Sequence, residues 1–218
     1  MMRPGLSLLL ATLFLVYAAP ASAQTVIDEW SSVKAPPAPE LKPVTVDPKT
    51  TALLVMDFVK QTCNDEKRPR CVASIPRVEK LRAEARAKGA TVVSTTVPPV
   101  PITDTVPELA PNSNEPVVVA WIDKFMLGDK DTGLEDMLKD KGISTIIAVG
   151  TAAHGAILYT ATAGALRGFN VIVPVDGMSG EGPLAAYTEQ AVAFILTHAP
   201  AASPKITLTR IDMIKFPN

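Results

Sequence analysis

The segment from Gly142 to Gly177 constrains the fold more than any other part of the chain. Residues 143–149 form an apolar, mostly β-branched run, which is typical of a strand buried on both faces. Small residues at 150–153 interrupt this run, and apolar positions then recur at helical spacing over 154–166. A second apolar run follows at 169–175. This order predicts a βαβ unit, in which a ligand binds where the first strand meets the helix N-terminus.

Patterns on either side of this unit extend the prediction to a whole domain. The predicted strands are 52–56, 91–96, 117–121, 143–149, 169–175 and 206–211, and the predicted helices are 74–89, 133–141, 154–166 and 182–199. Alternating strands and helices are typical of a three-layer α/β/α sandwich. We therefore expect an α/β fold with a mostly parallel, Rossmann-like sheet of six strands.

The N-terminus resembles a secretory signal peptide over residues 1–23. Arg3 precedes an apolar stretch at 6–19, and Ala21-Ser22-Ala23 matches a small-residue cleavage site. We expect cleavage before Gln24 and a periplasmic or secreted protein, with no membrane contact after cleavage. An uncleaved membrane anchor is the alternative, but the stretch is shorter than the ~20 residues that a spanning helix needs.

Two proline-rich stretches flank the first part of the domain. Residues 24–49 show little periodicity, which predicts an arm that is extended or partly disordered. The folded domain is therefore expected to cover residues 50–218. Residues 97–116 contain six prolines and predict a long loop that either covers a site or contacts a partner.

The chain contains two cysteines, Cys63 and Cys71, in a polar segment. In an oxidising compartment, two cysteines this close favour a disulfide. A metal site would need further ligands, and the whole chain has two histidines. A reactive thiol is the remaining alternative. We therefore predict a disulfide between Cys63 and Cys71, no metal and no cofactor.

Composition and motifs narrow the classes of function. The formal net charge is −1 and no basic cluster is present, which gives no reason to expect nucleic-acid binding. The sequence contains no G-x-S-x-G, Walker or G-x-G-x-x-G motif. A small-molecule substrate or ligand is the remaining expectation.

Three candidate functional residues follow predicted strands. Asp57 follows the strand at 52–56, Lys124 follows the third strand, and His154 lies in the turn after the strand of the βαβ unit. Because the carboxyl ends of parallel strands meet at one edge of a sheet, we expect these side chains to lie close together. Each also has a purely structural interpretation, as a turn residue, a solvated lysine and a hydrogen-bonding group of the turn.

These residues, in this order, resemble the isochorismatase-like hydrolases, also called the cysteine hydrolase superfamily. The matching segments are LLVMD at 53–57, WIDKF at 121–125, GTAAHGAILYTATAGALRG at 150–168 and VIVPVDGMSG at 171–180. The resemblance covers residues 50–216. It implies the same α/β fold, a small-molecule substrate and the dimers or tetramers that are common in that family.

In that family an Asp, a Lys and a Cys form the catalytic triad, and the resemblance places Asp57, Lys124 and Ala156 at these positions. Ala156 has no nucleophilic group, so the covalent amidase mechanism is not available there. The turn 153–156 is similar to the A-H-x-G turn of isochorismatases, which have Gly at the corresponding position. Hydrolysis of a vinyl ether needs an acid and no thiol. The resemblance therefore implies Asp57 as the general acid and Lys124 as its electrostatic partner.

The resemblance also indicates which residues would contact a substrate. The candidates are Thr151, Ala152, His154, Gly155 and Phe125. His154 is either a structural hydrogen-bonding group or a substrate contact. A non-proline cis peptide bond is implied around Gly150 to Ala152.

Two functions remain open from the sequence. The first is a secreted hydrolase that acts without a thiol on a small enol ether or a related carbonyl compound. Isochorismate itself is disfavoured, because that metabolite is made and used in the cytoplasm. The second is a catalytically inactive relative that serves as a ligand-binding or interaction module.

Overall fold

The computed structural model describes residues 25–217. The predicted signal peptide, residues 1–23 with cleavage before Gln24, lies outside the described residues. The chain divides into two units between Pro36 and Pro37, and in the first unit the structure has one short helix. The second unit contains the sheet. It begins at Pro37, which lies within the predicted arm of residues 24–49. Within residues 25–217, no helix combines the length and the hydrophobicity needed to cross a membrane.

The elements are numbered here in chain order. The strands are β1 (Val44–Thr45), β2 (Thr51–Met56), β3 (Thr91–Thr96), β4 (Val117–Val119), β5 (Met126–Leu127), β6 (Lys130–Asp131), β7 (Thr145–Thr151), β8 (Asn170–Pro174), β9 (Met178–Ser179), β10 (Ile206–Thr209) and β11 (Ile214–Lys215). The helices are α1 (Val26–Glu29), α2 (Pro69–Ala87), α3 (Leu134–Asp140), α4 (Leu158–Leu166) and α5 (Ala185–His198). A wider π-helical turn, Ala153–Ile157, directly precedes α4.

The central sheet has seven parallel strands in the order β10-β8-β7-β2-β3-β4, with β9 added beside β7. All six predicted strands are present, which confirms the α/β fold. The seventh strand, β9, has two residues and is too short to produce a recognisable pattern. From β2 the chain moves outward through β3 and β4, and from β7 it moves outward in the opposite direction. The order of the strands therefore reverses between the neighbours β2 and β7. Their carboxyl ends form the topological switch point, where such sheets bind ligands.

Alternate residues of the strands pack on opposite faces of the sheet. Leu53 and Val55 lie in the core on the α2 side, and Leu54 and Met56 lie in the core that α3, α4 and α5 cover. Helix α2 packs with apolar residues at helical spacing, namely Ile75, Val78, Leu81 and Ala85. The three layers follow directly from this division of apolar side chains.

Helix α2 begins at Pro69, five residues before the predicted start at Ser74. Pro69 occupies the first helical turn, where a missing N–H has no cost, whereas Ser74 donates a side-chain bond of 2.7 Å to the carbonyl of Cys71. Cys71 therefore lies inside the first turns of α2. The predicted disulfide between Cys63 and Cys71 is confirmed, and neither cysteine provides a free thiol.

The proline-rich loop at 97–116 packs against α2. The guanidinium of Arg82, on α2, donates to the carbonyls of Glu108 and Ala110, and Leu109 is fully buried. The loop also reaches the segment that follows β2, because the N–H of Val106 donates to the carbonyl of Phe58 at 2.9 Å. The loop thus supports the segment that carries Asp57.

Candidate active site

Asp57 directly follows β2 at the switch point, and it is 2% exposed. Its Oδ1 accepts a hydrogen bond of 2.6 Å from Thr95 Oγ1, at the end of β3. Its Oδ2 lies 2.7 Å from Lys124 Nζ. The backbone of Asp57 has a φ of 59°, which is uncommon for a residue with a side chain. Both carboxylate oxygens are therefore held by side chains from neighbouring parts of the sheet edge.

Lys124 is completely buried. Besides the contact with Asp57, its ammonium donates to the carbonyls of Ala120 at 2.9 Å and Trp121 at 2.6 Å, so all three donors of the group have acceptors. Its backbone N–H donates to Thr160 Oγ1, on α4, at 3.1 Å. The prediction that Asp57 and Lys124 lie together is confirmed by these distances.

Burial acts on both charges of this pair. Burial raises the pKa of the Asp57 carboxyl, while Lys124 and, to a smaller extent, the Thr95 hydroxyl oppose this rise. Burial likewise lowers the pKa of the Lys124 ammonium, and Asp57 opposes that change. A carboxyl with a raised pKa is suited to act as a general acid nearer neutral pH.

The turn after β7 is packed tightly against β2. A Cβ atom on Gly150 would lie 2.4 Å from the carbonyl oxygen of Met56, so only glycine fits there. The cis peptide bond implied by the resemblance is confirmed between Thr151 and Ala152. Where a regular helix was predicted from His154, the chain instead forms the π-helical turn, with the N–H of Ile157 donating to the carbonyl of Ala152. Such turns are frequent at functional sites.

The predicted substrate contacts differ in how far they are exposed to solvent. Ala152 and Gly155 are half-buried in the turn, His154 is exposed, and Thr151 is buried. Phe125 lies in the core, where its ring stacks on Phe169 with 6.1 Å between centroids and has no exposed surface. A ring without exposed surface cannot contact a substrate in this conformation, so the structure gives no support to Phe125 as a contact.

Ala156 lies in the π-helical turn and is 3% exposed. Its position after β7 puts it on the same turn as Gly150, whose backbone contacts the residue before Asp57. The turn also approaches the segment before Lys124, because Ile122 Cγ2 is 3.6 Å from the place of a Cβ on Gly155. The turn therefore lies next to both the segment that carries Asp57 and the segment that carries Lys124.

The sequence did not indicate several residues that contact Asp57 or Lys124. Thr95 holds the carboxylate, and the carbonyls of Ala120 and Trp121 hold the ammonium. Arg68 is close enough to lower the pKa of Asp57 by its positive charge. Thr95 is the penultimate residue of β3, the strand next to β2, so its place near a strand end is a signal in the sequence. A backbone carbonyl has no such signal.

A concavity of about 650 Å³ lies between α2 and the C-terminal segment. Two ion pairs lie in its lining, Arg77 with Asp176 and Arg210 with Asp212. It contains none of the predicted site residues. Among residues 25–217, no group of three or more His, Cys, Asp or Glu side chains is placed to hold a metal ion.

The family model of the isochorismatase domain matches residues 51–198, well over half of the chain. The chain therefore belongs to the isochorismatase-like hydrolase family. No curated protein shows significant sequence similarity to it.

Solved structures agree with this assignment at the level of the fold. An isochorismatase family protein from Desulfovibrio vulgaris is 21% identical, with a TM-score of 0.64, and the match covers 75% of this chain and 95% of that one. For an isochorismatase from Pseudomonas putida the values are 17%, 0.65, 78% and 93%. For N-carbamoylsarcosine amidase from Thermoplasma acidophilum they are 20%, 0.61, 75% and 97%.

Proposed function

We propose that the protein is an exported hydrolase that acts on a small enol ether, or a related carbonyl compound, without a thiol nucleophile. The observation that carries the proposal is the buried 2.7 Å contact between Asp57 Oδ2 and Lys124 Nζ at the switch point. Family membership supports hydrolase chemistry. The signal-like N-terminal sequence and the disulfide support export to an oxidising compartment.

In the proposed reaction Asp57 donates its proton to the terminal carbon of the enol ether. A C–H bond forms, and the positive charge is shared with the ether oxygen as an oxocarbenium ion. Water adds to the carbon that carries the ether oxygen, and the proton released returns to the carboxylate of Asp57. The hemiketal then collapses to a carbonyl compound and an alcohol. The ammonium of Lys124 stabilises the carboxylate while it is ionised.

The absence of a thiol at the turn is consistent with this route. The resemblance aligns Ala156 with the nucleophilic Cys of the family, and both cysteines of the chain form the disulfide. Acid-catalysed addition of water passes through no acyl-enzyme, so in this proposal Ala156 takes part in no bond-forming step and only shapes the site. We assign the same shaping role to Ala152 and Gly155, with the exposed His154 at the entrance.

The rim of the site suits a small substrate with an apolar part. Trp121 is 53% exposed and Ile122 is 47% exposed, and both immediately precede the buried Lys124 segment. The carbonyl of Trp121 is itself bound by the Lys124 ammonium. An apolar group on the substrate can therefore contact these side chains while the reacting carbon lies near Asp57.

A second candidate function is a ligand-binding protein without turnover. The observation that favours it is the alanine at position 156, which removes the nucleophile of the family. This candidate predicts a ligand that stabilises the folded protein by mass action but is not converted.

The two candidates are separated by incubating the mature protein with a panel of vinyl ethers, amides and esters. The hydrolase proposal predicts conversion of a vinyl ether that Asp57→Asn abolishes. Asp123→Asn is the matched control, because Asp123 is a half-buried carboxylate beside Lys124 that bonds the N–H of Phe125 instead. Conversion that survives Asp57→Asn contradicts the proposed acid, and a raised melting temperature without conversion supports the binding protein.

A further inference from the structure

The backbone of Asp57 lies in the left-handed region, with a φ of 59°. This region is unfavourable for a residue with a side chain, and aspartate tolerates it when its carboxylate bonds nearby backbone groups. In Asp57 both carboxylate oxygens are instead held by other side chains, those of Thr95 and Lys124. An unfavourable backbone conformation persists only where the surrounding structure fixes it.

Both polar groups of the Asp57 backbone have partners. The N–H donates to the carbonyl of Thr95 at 3.3 Å and so continues the pairing of β2 with β3. The carbonyl accepts a bond of 2.5 Å from the hydroxyl of Thr62, which also lies 3.2 Å from the carbonyl of Val59. Thr62 therefore closes the turn after β2 and fixes the direction in which the chain leaves Asp57.

The disulfide holds the backbone beside Thr62 in place. Cys63, the next residue, is bonded to Cys71 in the first turns of α2, and the two cysteines are 4% and 0% exposed. The N–H of Cys63 donates to the carbonyl of Val59 at 2.8 Å. From the start of α2, Arg68 Nη1 donates to the carbonyl of Thr62 at 2.8 Å. The residue that bonds the Asp57 carbonyl is thus attached to α2.

The proline-rich loop holds a different part of the same turn. The N–H of Val106 donates to the carbonyl of Phe58 at 2.9 Å, and the N–H of Lys60 donates to the carbonyl of Asp104 at 3.0 Å. These bonds involve residues that follow Asp57, whereas the Thr62 hydroxyl acts on the Asp57 carbonyl itself.

We propose that Thr62 is a positioning residue for Asp57, and that the disulfide keeps the Thr62 hydroxyl on the Asp57 carbonyl. This inference rests on the proposed function, in which Asp57 is the general acid. Without the hydroxyl, the Asp57 backbone is free to relax towards a more favourable φ. Because the side chain moves with the backbone, the carboxyl group then leaves its buried position between Thr95 and Lys124.

The pKa of Asp57 reports on this position. Burial raises the pKa above its ordinary value of 3.8, and the nearby charges that oppose the rise are those of Lys124 and Arg68. A substitution at Thr62 removes neither charge. A carboxyl group that moves to a more solvated place loses the effect of burial, so its pKa should return towards 3.8.

NMR of the carboxyl carbons during a pH titration measures this pKa, and the Asp57 resonance is the one that Asp57→Asn removes. In Thr62→Val we expect the midpoint to move down towards 3.8. Thr62→Ser keeps the hydroxyl and should titrate like the unmodified protein. Thr197→Val is the matched control, because Thr197 is also half-buried and its hydroxyl also lies between two carbonyls, those of Ala193 and Phe194. It should leave the midpoint unchanged.

The variant Cys63→Ser with Cys71→Ser tests the role of the disulfide and keeps the experiment informative if Thr62→Val does not fold. On its own this variant should also lower the Asp57 midpoint. Added to Thr62→Val it should cause no further shift, because the hydroxyl through which the disulfide acts is already absent.

An unchanged or raised midpoint in Thr62→Val, a shift in Thr62→Ser as large as that in Thr62→Val, or an equal shift in Thr197→Val would overturn the role of Thr62. A further shift when the cysteine changes are added to Thr62→Val, or none when they are made alone, would overturn the role of the disulfide. The titrations do not depend on catalysis. Lack of vinyl ether conversion by the unmodified protein would therefore contradict the proposed hydrolase, while the midpoints still decide the role of Thr62.

Discussion

Lys124 Nζ lies 2.7 Å from Asp57 Oδ2, and the two side chains are 0% and 3% exposed. Burial disfavours the charged form of each group, and the contact between them partly offsets that cost. Removing one partner leaves the other charge buried without compensation. The stability and the pH dependence of the protein should therefore both respond to changes in this pair.

Lys124→Met should destabilise the protein at neutral pH by about 3–5 kcal/mol, the range for a buried charge that loses its partner. The pKa of Asp57 is already raised above its ordinary value of 3.8, and the loss of Lys124 raises it further. Above pH 3.8 the native state therefore keeps a proton that the unfolded chain releases, so the free energy of unfolding falls as pH rises through this window. Melting temperatures measured from acidic to neutral pH test this.

The double variant Lys124→Met with Asp57→Asn is the control for that experiment. It contains no buried charge at this position, so the additional loss of stability with rising pH should disappear. A pH dependence that persists in the double variant would show that another group is responsible.

Thr95→Val removes the 2.6 Å hydrogen bond to Asp57 Oδ1. We expect a loss of about 1–2 kcal/mol in the free energy of unfolding. Because this bond lowers the pKa of Asp57, its loss should move the high-pH decline in activity to higher pH. Thr96→Val is the matched control, since Thr96 is equally buried and donates to the carbonyl of Val100 instead. A similar loss of stability without a shift in the pH profile is expected for it; equal shifts in both variants would contradict the role of Thr95.

Gly150→Ala should be far more harmful than the same change at Gly142. A methyl group on Gly150 would lie 2.4 Å from the carbonyl oxygen of Met56, so β2 and the turn after β7 must separate. We expect a cost of about 3 kcal/mol or more, at the upper end of overpacking effects. At Gly142, with a φ of +71° and no atom within 4 Å, only the backbone strain of about 1 kcal/mol is expected. Denaturant unfolding of the two variants measures the difference, and equal costs would contradict the close approach.

The variant Cys63→Ser with Cys71→Ser tests the contribution of the disulfide. The bond closes a short loop with a sequence separation of 8, for which the chain-entropy estimate is about 2–3 kcal/mol. Thermal unfolding of this variant and of the unmodified protein measures the difference. An unchanged stability would show that the packing of α2 alone holds the loop.

Ala156→Cys introduces a thiol at the position that the resemblance assigns to the family nucleophile. If the rest of the site is intact, this variant should release alcohol from an activated ester with a burst and form an acyl-enzyme visible by mass spectrometry. Adding Asp57→Asn should suppress the burst. Ala153→Cys places a thiol on the same turn at a fully buried position and should not react. Reaction of the second variant, or none of the first, would contradict the assignment of position 156.

The sequence by itself determined the elements of the fold and the order in which they occur. Apolar runs and helical periodicity are local properties, and they located all six longer strands of the sheet and helices α2 to α5. A carboxylate directly after a buried strand indicated Asp57, and two nearby cysteines indicated the disulfide. The strands and helices could be predicted because burial on one or both faces requires apolar residues at regular spacing along the chain.

Only the tertiary structure decided which groups surround Asp57 and which do not. Thr95, the carbonyl of Trp121 and Arg68 reach the site from separate segments, whereas Phe125, directly after Lys124, turns into the core. The strand β9 was likewise set by its pairing with the distant strand β7. The physical reason is that hydrogen bonds and packing between remote segments depend on how the layers of helices and strands pack against each other. The pattern of neighbouring residues in the sequence does not determine that packing.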